Sequence, residues 1–163
     1  MAKLISPLCL SLIALFSSGC GGSAGAYSPI PEREAWFVTP AGGTFSNGVV
    51  QLTAPEGAVT HATTVFVTPT HDTPAPPAGM VRVEGTNWNL SHRAFRTHVS
   101  LRIAFSPGSV PDDAVPSVTV YRLAPGKATW TPLTTTVDAS TLTASTWVDQ
   151  LSVVGLFYPS SGS

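Results

Sequence analysis

Gly42-Gly43-Thr44-Phe45-Ser46-Asn47-Gly48-Val49-Val50-Gln51-Leu52-Thr53-Ala54-Pro55-Glu56-Gly57-Ala58-Val59, with Thr63-Thr64-Val65-Phe66-Val67-Thr68-Pro69 behind it, is the stretch that decides the fold. Asn47-Gly48 lies between two runs of β-favouring residues, and this dipeptide accepts the two positive φ values of a type I′ hairpin turn. Val50 and Leu52 then alternate with Gln51 and Thr53, the period of a strand with one face buried and one wet. Ala54-Pro55-Glu56-Gly57 fits a type I turn, with proline presetting φ at the second position and glycine at the fourth. In the strand that follows, Thr63, Val65 and Val67 point one way and Thr64, Phe66 and Thr68 the other.

Working outward from this stretch, short alternating runs repeat to the end of the chain with no sustained helical period, which predicts an all-β protein built as a single antiparallel β-sandwich. The clearest run is Val99, Leu101, Ile103 and Phe105 opposite Ser100, Arg102 and Ala104. A one-residue slip would turn that whole apolar face to solvent, so it belongs near the centre of a sheet. Val81 and Val83, and Trp88 and Leu90, alternate with polar neighbours in one or two half-buried strands. Val118 to Leu123 and Thr129 to Leu133 flank Pro125-Gly126, a pair suited to a type II turn, and are expected to form a hairpin. Thr141 to Trp147 and Leu151 to Tyr158 are expected to form the last pair. The proline-rich loop from Pro69 to Gly79 is expected to be extended and exposed.

The order of motifs, Gly42-Gly43-Thr44-Phe45, a short hairpin, an apolar strand, Pro55-Glu56-Gly57-Ala58-Val59 and a second apolar strand, resembles the ZU-five domain, the β-sandwich module of ankyrins, netrin receptors and zonula occludens proteins. Related modules occur in bacterial envelope proteins. Phe95 to Phe105 looks like the family's central strand, with His98 where a proline is common. Val118-Thr119-Val120-Tyr121-Arg122 and Trp130-Thr131-Pro132-Leu133 resemble later family motifs. The resemblance covers roughly Trp36 to Tyr158, and its strength lies in the order of the motifs. It implies a module that binds protein partners.

The N-terminal region has a different character. Lys3, the apolar run Leu4 to Phe16 and the small residues Ser17-Ser18-Gly19 before Cys20 read as an export signal, residues 1–19, whose apolar core is too short to span a bilayer. The small-small-Gly-Cys ending resembles the lipobox of bacterial lipoproteins, with Ser17 where leucine is usual, and implies that Cys20 becomes the acylated first residue of the mature protein. Ordinary signal-peptidase cleavage nearby is the alternative. Of the two cysteines, Cys9 leaves with the signal, so the mature chain has no partner for an internal disulfide. Each buried acyl methylene would contribute about 0.8 kcal/mol, so two or more chains give lasting anchorage. Gly21 follows Cys20 and no aspartate does, which in such lipoproteins resembles the default for outer-membrane delivery. Residues 20–34 form a lipidated cysteine and Gly/Ser/Pro tether whose flexible part spans on the order of 10–15 Å. The sandwich occupies 35–159, large enough to hold by packing alone, and 160–163 are a frayed tail.

Charged residues make up 10% of the chain and the formal net charge is −1. That excludes the basic footprint of a nucleic-acid binder. The four histidines, His61, His71, His92 and His98, form no close metal-binding pair, and Asp112-Asp113 lacks the spacing of an oxygen cage, so neither a metal nor a cofactor is expected. Some ZU-five relatives cleave themselves at a histidine-phenylalanine-serine site. The matching stretch here is Gln150-Leu151-Ser152, which keeps the serine without the histidine base, so no catalytic residue is assigned. Of the four tryptophans, Trp88 and Trp130 fall within strand patterns and are expected in the core. Trp147, just before Asp149-Gln150, is expected at a strand end outside it. The chain therefore reads as an outer-membrane lipoprotein, periplasmic or surface-facing, whose sandwich is a non-catalytic protein-interaction or structural module. Its sheet edges near Thr134 to Thr146 offer docking by strand addition. A carbohydrate- or wall-binding module, marked by two or more tryptophans exposed on one face, and a self-cleaving relative are the alternatives.

Overall fold

The computed structural model describes residues 33–91 and 93–160. The expected signal segment, Cys20, the tether through residue 32, His92 and residues 161–163 lie outside the described residues. Among the described residues, alternating apolar positions produce twelve strands: β1 (Glu34–Val38), β2 (Gly43–Ser46), β3 (Val50–Ala54), β4 (Thr63–Pro69), β5 (Met80–Arg82), β6 (Trp88–Leu90), β7 (Ala94–Ala104), β8 (Thr119–Leu123), β9 (Trp130–Pro132), β10 (Thr136–Asp138), β11 (Thr143–Gln150) and β12 (Val153–Pro159). They form two antiparallel sheets. One has the order β1-β4-β6-β12-β8-β9, with β5 also on β12; the other is β10-β11-β7-β3-β2.

The inward faces of the two sheets meet in one core. β7 is the middle strand of the five-stranded sheet, and its Val99, Leu101 and Ile103 are fully buried, with Phe105 just beyond. Val50 and Leu52 of β3, Val65 and Val67 of β4, Trp88 and Leu90 of β6, and Val154 and Leu156 of β12 complete it. Sandwich packing follows from the period-2 pattern, because each strand has one apolar face to bury. The chain changes sheets after β1, β3, β6, β7, β9 and β11, so no long segment belongs to one layer only.

Several turns differ from their sequence expectation. Gly48 has φ 90, but Asn47 does not share the positive φ that type I′ requires. The asparagine instead acts through its side chain, whose Oδ1 accepts from the N–H groups of Val49 (3.0 Å) and Val50 (2.8 Å). The next turn is shifted by one residue. Gly57, at φ 77, occupies its third position, and Ala58 N–H donates to the Pro55 carbonyl at 3.1 Å. Pro125-Gly126 behaves as expected, with Gly126 at φ 70 and Lys127 N–H donating to the Ala124 carbonyl at 3.0 Å. β8 and β9 pair across it.

The expected last pair, Thr141 to Trp147 with Leu151 to Tyr158, does not form. β11 pairs with β10 and β7, whereas β12 lies in the other sheet beside β8, β6 and β5. Leu151 and Ser152, both buried, carry the chain through the core edge from one layer to the other. A two-residue hairpin favours glycine, asparagine or aspartate at its tip, and Gln150-Leu151-Ser152 contains none of these. The proline-rich loop is exposed as expected, with no buried residue from Pro69 to Gly79, and one point of it is anchored. Pro74 is held down because its carbonyl accepts from Arg82 Nη2 (2.5 Å) and from Trp130 Nε1 (3.3 Å).

Strand direction points the start of β1 and the end of β12 the same way, while register sets Glu34 level with Val67 and Leu90, near the start of β12. β4 and β12 run one way and β1, β6 and β8 the other, since each neighbouring pair is antiparallel. The start of β1 at Glu34 and the end of β12 at Pro159 therefore point toward the same end of the sandwich. The β1–β2 link and the turn before β4 lie at the opposite end, tied by Gly57 N–H donating to the Pro40 carbonyl at 2.7 Å.

Candidate functional site

β11 alternates as a strand facing a core should: Ala144, Thr146 and Val148 point inward, and Ser145, Trp147 and Asp149 point outward. Trp147 is 66% exposed, directly across from Ser100 of β7. It is outside the core, as the sequence implied, yet it lies in the body of β11 and not at its end. The reason is register, because a strand places every second residue on its outer face whatever that residue's hydrophobicity.

A cleft of about 430 Å³ opens beside this indole, bounded by His98, Thr134, Thr136, Ser145 and Trp147. Its far wall is the chain passing from β9 to β10. Two threonines fix that passage. The Thr146 hydroxyl donates to the Thr134 carbonyl at 2.8 Å, and Thr135 Oγ1 accepts from Val120 N–H at 2.9 Å while donating to the Leu133 carbonyl at 2.8 Å. β10, three residues long, is the edge of its sheet and carries Thr136 and Asp138 on the rim. The cleft thus combines one aromatic face with hydroxyl groups and the ring of His98. None of the residues lining it is Asp, Glu, Lys or Arg.

Below the cleft, Asp138 closes the turn into β11. Its Oδ1 accepts from the Ser140 hydroxyl (2.6 Å), Ser140 N–H (3.0 Å) and Thr141 N–H (3.3 Å). The Ser140 hydroxyl foremost, then Thr141 and the two amides, hold its carboxyl at about 2, below the ordinary 3.8. Leu142 completes the turn in the left-handed region at φ 49, and its carbonyl accepts from Phe105 N–H at 3.0 Å.

No known protein family and no curated protein matches this chain.

The other residues singled out by the sequence are scattered. Ser152 is 4% exposed, and its hydroxyl points to the neighbouring Val153 carbonyl at 3.5 Å. Trp36, Trp88 and Trp130 are buried. His61 and His71 sit in separate loops, and His98 lines the Trp147 cleft. Asp112 and Asp113 are exposed before the short 3-10 turn Val115–Ser117. Among the described residues, no three His, Cys, Asp or Glu side chains come together as a metal site. The sequence marked Trp147, His98 and the edges near Thr134 to Thr146 separately; they meet in one cleft through pairing between strands distant in sequence, which no local pattern announces.

Proposed function

We propose that this chain is a lipid-anchored protein of the bacterial cell envelope, attached to the outer membrane through Cys20, whose ZU-five-like sandwich binds a protein partner and has no catalytic role. The observation that carries the binding role is Trp147. Exposed tryptophan is a typical centre of protein interfaces, because its large rigid surface is buried at small entropic cost. The rim of hydroxyls and the short edge strand β10 supply hydrogen-bonding groups around it. The glycan alternative is less well supported, since it draws on two tryptophans sharing an exposed face and three of the four are buried. Self-cleavage is less well supported too, with Gln150 in the place of the histidine base and Ser152 buried.

The test is a photo-crosslinking residue introduced at position 147 in the full-length protein in its own cells, with Thr53 on the same sheet as the control position. The expected result is one protein adduct, at 147 and not at 53, in the membrane fraction, together with acyl-sized added mass that a Cys20→Ala variant loses. No adduct at 147, or the same adducts at both positions, overturns the binding role. An unmodified, freely soluble chain overturns the anchor.

A further inference from the structure

At the end of the sandwich opposite the start of β1 and the end of β12, a cleft of about 550 Å³ lies between the turn entering β4 and the first residues of β7. Its walls are joined where Arg96 N–H donates to the Ala58 carbonyl at 2.9 Å, and Ala58 and Phe95 are buried beneath it. The side chains bordering it that carry chemistry are Thr60, His61, Thr63, Arg93 and Arg96, and no carboxylate is among its described lining residues.

The arginines of this cleft differ from the others. Arg33 lies over the Phe66 ring at 3.8 Å, Arg82 donates to the Pro74 carbonyl, Arg102 donates to Thr141 Oγ1 at 3.0 Å, and Arg122 pairs with Asp149 at 3.8 Å. Arg93 and Arg96 have no such side-chain partner among the described residues, although both border one concavity. A guanidinium presents a planar fork of N–H donors that matches the paired oxygens of a phosphate or carboxylate. Thr60 adds a hydroxyl, in contact with His61 Nδ1 at 3.1 Å. We infer that this cleft is an anion-binding site for a phosphate- or carboxylate-bearing ligand, with Arg93 and Arg96 as its two forks. The inference is independent of the partner assigned to Trp147.

The experiment is calorimetric titration of the full-length protein in neutral detergent, at low salt, with inorganic pyrophosphate and, separately, citrate. Two double variants of equal net charge are compared with the parent: Arg93→Gln/Arg96→Gln, and Arg33→Gln/Arg102→Gln as the control. The expected result is saturable binding of at least one anion, weakened about tenfold or more by the first pair and less than about twofold by the second. Pyrophosphate alone binding points to a phosphate source such as a lipid headgroup, and citrate alone to a carboxylate source such as a peptide terminus; each supports the site. Absence of saturation by either anion up to roughly 10 mM, or equal loss in the two pairs, overturns it.

Discussion

Two glycines in the opening stretch have the same kind of backbone and different surroundings. Gly42 (φ 74) and Gly48 (φ 90) are both in the left-handed region. A Cβ on Gly42 would press on the Ala54 carbonyl oxygen and come within 2.7 Å of Pro55 C, backbone that cannot swing aside, whereas one on Gly48 meets nothing within 4 Å. Gly42→Ala should therefore cost about 3 kcal/mol, from strain and overpacking together, and Gly48→Ala only about 1 kcal/mol, from strain alone. Urea unfolding of the two variants measures both. Asp138 supplies a second prediction at this scale. Its folded value, about 2, is depressed below 3.8, so its contribution to stability is complete above 3.8 and is lost as pH falls through about 2. Replacing Ser140 with alanine removes the foremost cause, and the carboxyl midpoint followed by NMR should move up toward 3.8.

Among the elements, β7 is the one on which the five-stranded sheet depends, with β11 on one side and β3 on the other. Ile103→Asp would bury a carboxylate between the layers and should prevent folding. Arg102→Ala, next to it but on the outer face, loses a hydrogen bond to the exposed Thr141 hydroxyl and should change stability by less than about 0.5 kcal/mol. Equal thermal midpoints for the two variants would contradict the register. That register was legible in the sequence because Val99 to Phe105 alternate without interruption. The pairing of β11 was not. Alternation tells which face of a strand is buried but not which layer receives it, and the Leu151-Ser152 crossing has no glycine, proline, asparagine or aspartate to mark it. Turn positions slipped for a related reason: glycine announces a left-handed residue, while its place within the turn depends on hydrogen bonds such as those of Asn47 Oδ1. Trp147 could be singled out, yet its cleft arises from contacts between β7, β11 and the β9–β10 passage. Arg93 and Arg96 gave no sequence signal, because two arginines in a loop and a strand start look like ordinary solvated charge.

For the whole molecule, the frame is two sheets stitched by repeated crossings and a core with no cysteine in residues 33–160. The chain leaves for its N-terminal segment from Glu34, in the direction in which β12 also runs, and the Arg93–Arg96 cleft opens at the other end. β1 is an outer strand, held along one side by β4 through five residue pairs, Glu34 with Val67 to Val38 with Thr63. If the N-terminal segment is pulled while the opposite end is gripped, the load runs along the axis of β1. All of its cross-strand bonds are then strained together in shear, not opened one after another like a zipper. Single-molecule extension between those points should give a higher rupture force than pulling β1 sideways from Val38. Tension applied in this way would meet the sandwich, which has no cysteine among its described residues to staple it, in its shear direction.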